Sequence, residues 1–226
     1  MVNFYYFGHA CFLLDDGKYK ILVDPYLTGN PAAAVAADKV ECDYILLSHA
    51  HQDHLGDAAA IAARTGAVVI GVPEVLQLCQ QQAKDIKVHG MNLGGSMQFP
   101  FGRVRMTLAL HSSGVAGGIA CGYVIEIEDL NVYYSGDTAL FGDMKLIGHK
   151  DALDYALLPI GDNYTMGLED AALAAQWLNV RHVIPVHYNT WPVISQEVER
   201  YKELTERMSR AEVHVVQPGE VLELRK

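Results

Sequence analysis

Short apolar runs broken by turn residues fill the first quarter of the chain. They predict strands over Val2 to Phe7, Ala10 to Leu14 and Lys20 to Val23, with Asp15-Asp16-Gly17 turning between the last two. The apolar run Tyr44 to Ser48 predicts a buried strand ending in a polar loop, and an alanine-rich stretch then predicts a helix over Leu55 to Arg64 that Gly66 can terminate. Next come strand Val68 to Gly71, helix Pro73 to Ala83 with proline in its first turn, and strand Ile86 to His89. From Met97 to Tyr134 helical spacing disappears, and consecutive strands are expected over Met97 to Phe99, Arg103 to Leu110, Ala120 to Glu128 and Asn131 to Tyr134. The last third alternates again, with helices Phe141 to Ile147, Leu168 to Leu178 and Gln196 to Met208 among strands Tyr155 to Leu158, His182 to Pro185, Val213 to Val216 and Val221 to Leu224. Two strand-rich blocks with interspersed helices predict an α/β fold, a four-layer αββα sandwich in preference to one doubly wound sheet. Residues 1–226 are expected to form it as a single domain.

Composition narrows the partners. Half of the residues are apolar and 19% are charged, enough burial to offset the ordering of the chain. The formal charge of -10, with no Lys/Arg cluster, excludes a surface built for nucleic acid or anionic lipid. The longest stretch free of Asp, Glu, Lys and Arg, Met106 to Ile125, contains His111, Ser112, Ser113 and glycines, so it is not read as a membrane span. The start, MVNFYYFGHA, carries no basic leader and no cleavage site, which makes the cytoplasm the expected location. Cys11, Cys42, Cys79 and Cys121 lack the paired spacing of a zinc ribbon or disulfide framework and are expected to be buried thiols.

The chemistry concentrates behind Tyr44 to Ser48, where HAHQDH places three histidines and a carboxylate on a strand-to-helix loop. In extended backbone His49 and His51 point the same way and can reach one cation; after the chain turns, Asp53 and His54 face a second position at the helix entrance. The plainer alternative has Asp53 capping the helix and the histidines in solvent. Such a cluster of imidazoles and carboxylates repels or desolvates itself without a cation, which favours ligation. More ligand-type residues fall at strand ends: His111, Asp137 in YSGDT, and His187 in PVHYN, as a site along one sheet edge requires. His89, His149, His182 and His214 have no neighbour of this kind in sequence and read as ordinary surface or core histidines.

With these motifs in hand, the sequence resembles the metallo-β-lactamase fold superfamily, whose signature is His-x-His-x-Asp-His followed by a distant His, an Asp and a final His. FGHACF, ILVDPYLTGNP, HAHQDHLGD, HSSG and YSGDT are similar to small prokaryotic metal-dependent hydrolases related to ascorbate-phosphate lactonase. The resemblance implies two divalent metal ions, Zn2+ first and Mn2+ or Fe2+ as alternatives. His49, His51 and His111 would hold one, Asp53, His54 and His187 the other, and Asp137 would bridge them. It also implies that Asp24 in ILVDP braces the histidine loop without touching metal. His9 would lie near the metals, behind the ligands or facing substrate, and is counted with Asp53 and Asp137 among the catalytic candidates.

Two close cations can share a water and make it hydroxide near neutral pH. The expected function is therefore hydrolysis of a lactone, ester or amide bond in a small molecule. The alternatives are a small-molecule phosphodiesterase and a non-catalytic metal-binding or redox protein. Aspartate in place of a bridging cysteine is unlike the thiolate lactamases. A histidine at position 51, where flavodiiron oxidoreductases carry glutamate, is unlike an electron-transfer site. Little chain follows His187, too little for the helical substrate domain of the glutathione thioesterases, and no basic arm supports RNA processing. Asn163, Tyr164, Tyr188 and Trp191, in short loops at strand ends, are candidates for the pocket wall. A homo-oligomer is expected from resemblance alone, since no heptad marks an interface.

Overall fold

A computed structural model describes all 226 residues. The chain lays down one sheet and then the other. Strands β1 (Val2–Gly8), β2 (Cys11–Asp15), β3 (Lys20–Val23), β4 (Tyr44–Leu46), β5 (Val68–Gly71) and β6 (Lys87–Gly90) form the first in sequence order. The second contains β7 (Ser96–Phe99), β8 (Gly102–Leu108), β9 (Cys121–Ile127), β10 (Leu130–Tyr134), β11 (Tyr155–Pro159), β12 (His182–Val186) and β13 (Glu212–Val213). The final strand, β14 (Val221–Leu224), returns to pair with β1 and makes each sheet seven-stranded. Hairpins make β1 to β3 and β7 to β10 antiparallel; longer connections make β3 to β6 and β10 to β13 parallel.

Helices α1 (Gln52–Leu55), α2 (Ala58–Thr65) and α3 (Pro73–Gln82) accompany the first sheet, and α4 (Met144–Asp151), α5 (Leu168–Leu178) and α6 (Val198–Met208) the second. Strand periodicity explains the layering. Tyr123, Ile125, Val132, Tyr134, Leu157 and Ile184 join a core shared with the first sheet. Their neighbours Val124, Tyr133, Ala156, Leu158 and Val183 join a second core beneath α4 to α6. With both faces covered, the parallel strands read as continuous apolar runs, and the expected αββα sandwich is the architecture found.

Two departures bear on function. The expected helix Leu55 to Arg64 is broken at Gly56, with φ at 39°, where a side chain would stand 2.3 Å from the Pro25 carbonyl oxygen. The break gives HAHQDH its own short helix and frees Asp57, whose carboxylate accepts from the Leu27 and Thr28 amides at 3.0 and 2.8 Å. At the other end of the fold, the strand expected over Val213 to Val216 is reduced to the two residues of β13.

Candidate metal centre

Backbone bonds gather the motif loops at one edge of the sandwich. The Ala50 amide donates to the Ser113 carbonyl at 2.8 Å, tying HAHQDH to HSSG. Leu110 N donates to Thr138 Oγ1 at 3.0 Å, tying the His111 loop to YSGDT, and His187 N donates to the His9 carbonyl at 2.7 Å. His9, Asp24 and His187 all adopt positive φ, between 40° and 60°, a left-handed conformation that Asp and His adopt more readily than most residues and that turns the chain sharply at these strand ends.

Two clusters of donor atoms result. In the first, His51 Nδ1 lies 2.9 Å from His49 Nε2 and 3.3 Å from His111 Nε2. Donors on one tetrahedral Zn2+ stand roughly 3.3 Å apart for bonds of 2.0 to 2.1 Å. In the second, Asp53 Oδ2 lies 3.7 Å from His187 Nε2 and 3.9 Å from His54 Nε2. Asp137 stands between them, its Oδ2 at 3.0 Å from His187 Nε2, 3.2 Å from His54 Nε2 and 3.7 Å from His111 Nε2. All seven residues singled out in the sequence therefore converge.

The donor set fits divalent cations. His54 Nε2, both nitrogens of His187 and Asp137 Oδ1 are buried without a hydrogen bond, a costly arrangement unless something else engages them. Imidazole nitrogen and carboxylate oxygen suit Zn2+, Mn2+ or Fe2+. The histidine tautomers agree with this reading. His54 Nδ1 is 2.7 Å from Asp24 Oδ2, so its proton is held there and the Nε2 lone pair faces the site. Asp24 is fully buried; besides His54 it accepts from Ser48 N at 2.8 Å, Ser48 Oγ at 2.5 Å and Tyr134 Oη at 2.6 Å. These bonds tie it to the histidine loop, in the place that the resemblance implied.

The close approach of these side chains shifts their protonation. Burial resists charging of His187, but Asp137 outweighs it and pushes the imidazole up to about 9. His54 likewise rises, with burial opposing and Asp137 and Asp24 prevailing. Asp137 is held well below the usual carboxylate range because His187 and His54 overcome its burial. Burial, reinforced by His54, lowers His49.

His51, Asp53, His111, Ser112, Asp137, Tyr164, His187 and Trp191 line a cavity of about 270 Å³ over this cluster. Tyr164 and Trp191 thus take the wall positions expected of them, whereas Asn163 and Tyr188 do not line it. Asp53 does not cap its helix: the N-cap is His51, without a side-chain cap bond, and Asp53 instead meets His9 Nε2 at 3.2 Å. His9 sits behind Asp53 and His187, its Nδ1 2.8 Å from Thr190 Oγ1; burial, then the neighbouring His187, lowers it to about 4. Sequence reading missed Ser48, Ser112 and Thr190, whose hydroxyls orient His49 (2.9 Å), His51 (3.2 Å) and His9. For Ser48 and Ser112 the available signal was direct adjacency to a ligand-type histidine. Thr190 had no such signal, being 181 residues from His9.

The sequence profile of the β-lactamase superfamily domain matches residues 3–187. A UPF0173 metal-dependent hydrolase of Heliobacterium modesticaldum is 48% identical over 235 residues, covering 99% of this chain and 98% of the relative. A metal-dependent hydrolase of Thermococcus kodakarensis is 45% identical over 228 residues, covering 99% and 100%. Among solved structures, Igni18, a metallo hydrolase of Ignicoccus hospitalis, matches with a TM-score of 0.91 at 36% identity over 99% of each chain.

Proposed function

The chain belongs to the β-lactamase superfamily and is a metal-dependent hydrolase, and from that premise we propose that it uses a dinuclear centre to cleave a carbonyl bond, a lactone, ester or amide, in a small molecule. The observation that carries the reading is Asp137: a single carboxylate oxygen lies within 3.7 Å of donors from both clusters. His49, His51 and His111 would hold one cation, Asp53, His54 and His187 the other, with Asp137 shared. When bound, two divalent cations, Zn2+ ahead of Mn2+ or Fe2+, supply an activated water and polarise the oxygen under attack.

The protein's own groups complete the chemistry. Asp53 is the partly exposed carboxylate on the cavity wall; its Oδ2 faces His9 and the proposed cation, so the proton of the attacking water would pass through its other oxygen, Oδ1, on the way to the leaving group. His9, off the wall and 3.2 Å from Oδ2, is a positioning residue that fixes the Asp53 rotamer. Tyr164 and Trp191 offer flat apolar faces to hold the substrate. No Lys or Arg lines the cavity, so apart from the cations no group on its wall would neutralise an anionic substrate, which favours an uncharged one.

Among the helices none is long and apolar enough to cross a membrane. The cytoplasm is the proposed location, supported by four buried free thiols that suit a reducing compartment. Metal-loaded protein assayed against uncharged lactones, thioesters and bis-para-nitrophenyl phosphate tests the proposal. Turnover of carbonyl substrates is expected; turnover of the phosphodiester alone would transfer the site to phosphoryl chemistry, and inactivity throughout would favour a non-catalytic metal protein.

A further inference from the structure

At the end of β12 remote from His187, the strand register sets His182 opposite Glu212 of β13. The pairing continues past β13, where His214 N donates to the Val183 carbonyl at 2.8 Å. Residues two apart on a strand share a face, so Glu212 and His214 both lean toward His182. His182 Nδ1 lies 3.0 Å from His214 Nε2, and Glu212 Oε2 lies 3.7 and 3.9 Å from those two nitrogens. A point equidistant from the three atoms is about 2.1 Å from each, the bond length Zn2+ makes to imidazole nitrogen and carboxylate oxygen.

The histidines are held for such a role. The Tyr155 ring stacks on His182 with centroids 4.7 Å apart at 23°. Its hydroxyl donates to the Arg225 carbonyl at 3.1 Å and accepts from the Arg225 amide at 3.0 Å, which fixes the ring. Both imidazoles are about four-fifths buried while Glu212 is exposed, leaving an approach from solvent. A simple N–H to N bond between the two rings uses one proton and two of the atoms; a cation uses all three and leaves coordination positions for water.

We propose that His182, Glu212 and His214 form a second, separate divalent-metal site. Two imidazoles and one carboxylate select a borderline transition ion of the Zn2+ class over Mg2+ or Ca2+. It lies one strand length, about 16 Å by the rise of β12, from the centre at His187. The ion fastens the two-residue edge strand β13 to β12, a pairing with few backbone bonds of its own. The site is independent of the proposed hydrolytic reaction.

Zn2+ uptake by protein whose main centre is already loaded tests this, using isothermal titration and metal quantification. The unaltered protein should take up one further ion per chain and gain thermal stability with it. His214→Ala should lose that ion, and Glu212→Gln, a surface change that spares the fold, should bind it at least about tenfold more weakly. Hydrolytic turnover of the main centre should be unchanged in both. Equal ion counts at saturation for unaltered protein and His214→Ala, or equal affinity in Glu212→Gln, would overturn the site.

Discussion

Replacing Asp24 by Asn changes little in size and keeps a residue type that tolerates the φ of 40° found there, so its effect isolates hydrogen bonding. Oδ2 accepts from three groups, Ser48 Oγ, Tyr134 Oη and His54 Nδ1, at 2.5 to 2.7 Å. An amide nitrogen at that position is a donor facing donors. The two hydroxyls can rotate and accept, but His54 Nδ1 can accept only if its proton moves to Nε2, the atom that faces Asp137 and the proposed cation. Flipping the amide instead sets its nitrogen against the Ser48 amide, which cannot adapt. Either way the ligand or its loop loses its orientation.

Outer-shell losses of this type cost about 10- to 100-fold in metal affinity, or about 1.4 to 2.7 kcal/mol. The metal-free protein also loses at least one charge-assisted bond in a dry site, about 2 kcal/mol of stability. Competition titration with a chromophoric chelator reads the first quantity, and urea unfolding with EDTA reads the second. If Asp24→Asn keeps full metal affinity, with His54 still protonated on Nδ1 by nitrogen NMR, the bracing role is refuted.

Loading the centre at pH 7.5 should release about two protons, from His54 and His187, seen as a buffer-dependent heat of binding. In metal-free protein His187, raised to about 9 against an unfolded value near 6.5, contributes stability that is complete below pH 6.5 and lost as pH rises through 9; urea midpoints that climb over that interval would contradict it. Gly114→Ala places a carbon 2.7 Å from His51 Cδ2 at a φ of 73° and should cost about 1 to 2 kcal/mol of stability while weakening the three-histidine cluster, measured by unfolding and metal titration. Asp137→Asn should keep the fold, by circular dichroism, and lower turnover at least about a hundredfold; unchanged rates would remove its shared role.

What could be read from sequence was what depends on neighbours in the chain. Leu168–Leu178, Lys20–Val23 and Val221–Leu224 have the expected ends because local spacing and flanking residues specify them. The seven ligand-type residues were visible because four fall in HAHQDH and three close apolar strands. Gly56 was hidden because its break depends on the Pro25 backbone, distant in sequence. His182 and His214, which read as isolated, meet only because β13 pairs with β12, and no local pattern reports a partner 32 residues away. The family resemblance put His9 near the ligands without distinguishing the cavity wall from the layer behind it, a distinction set by its contacts with Asp53 and Thr190.

Anomalous scattering at the metal edge, from crystals of protein purified without chelator, locates the ions directly. Two peaks are expected at this edge of the sandwich, one within bonding distance of His49, His51 and His111 and one of Asp53, His54 and His187, with Asp137 touching both. A single peak, or none among these side chains, would contradict the dinuclear centre.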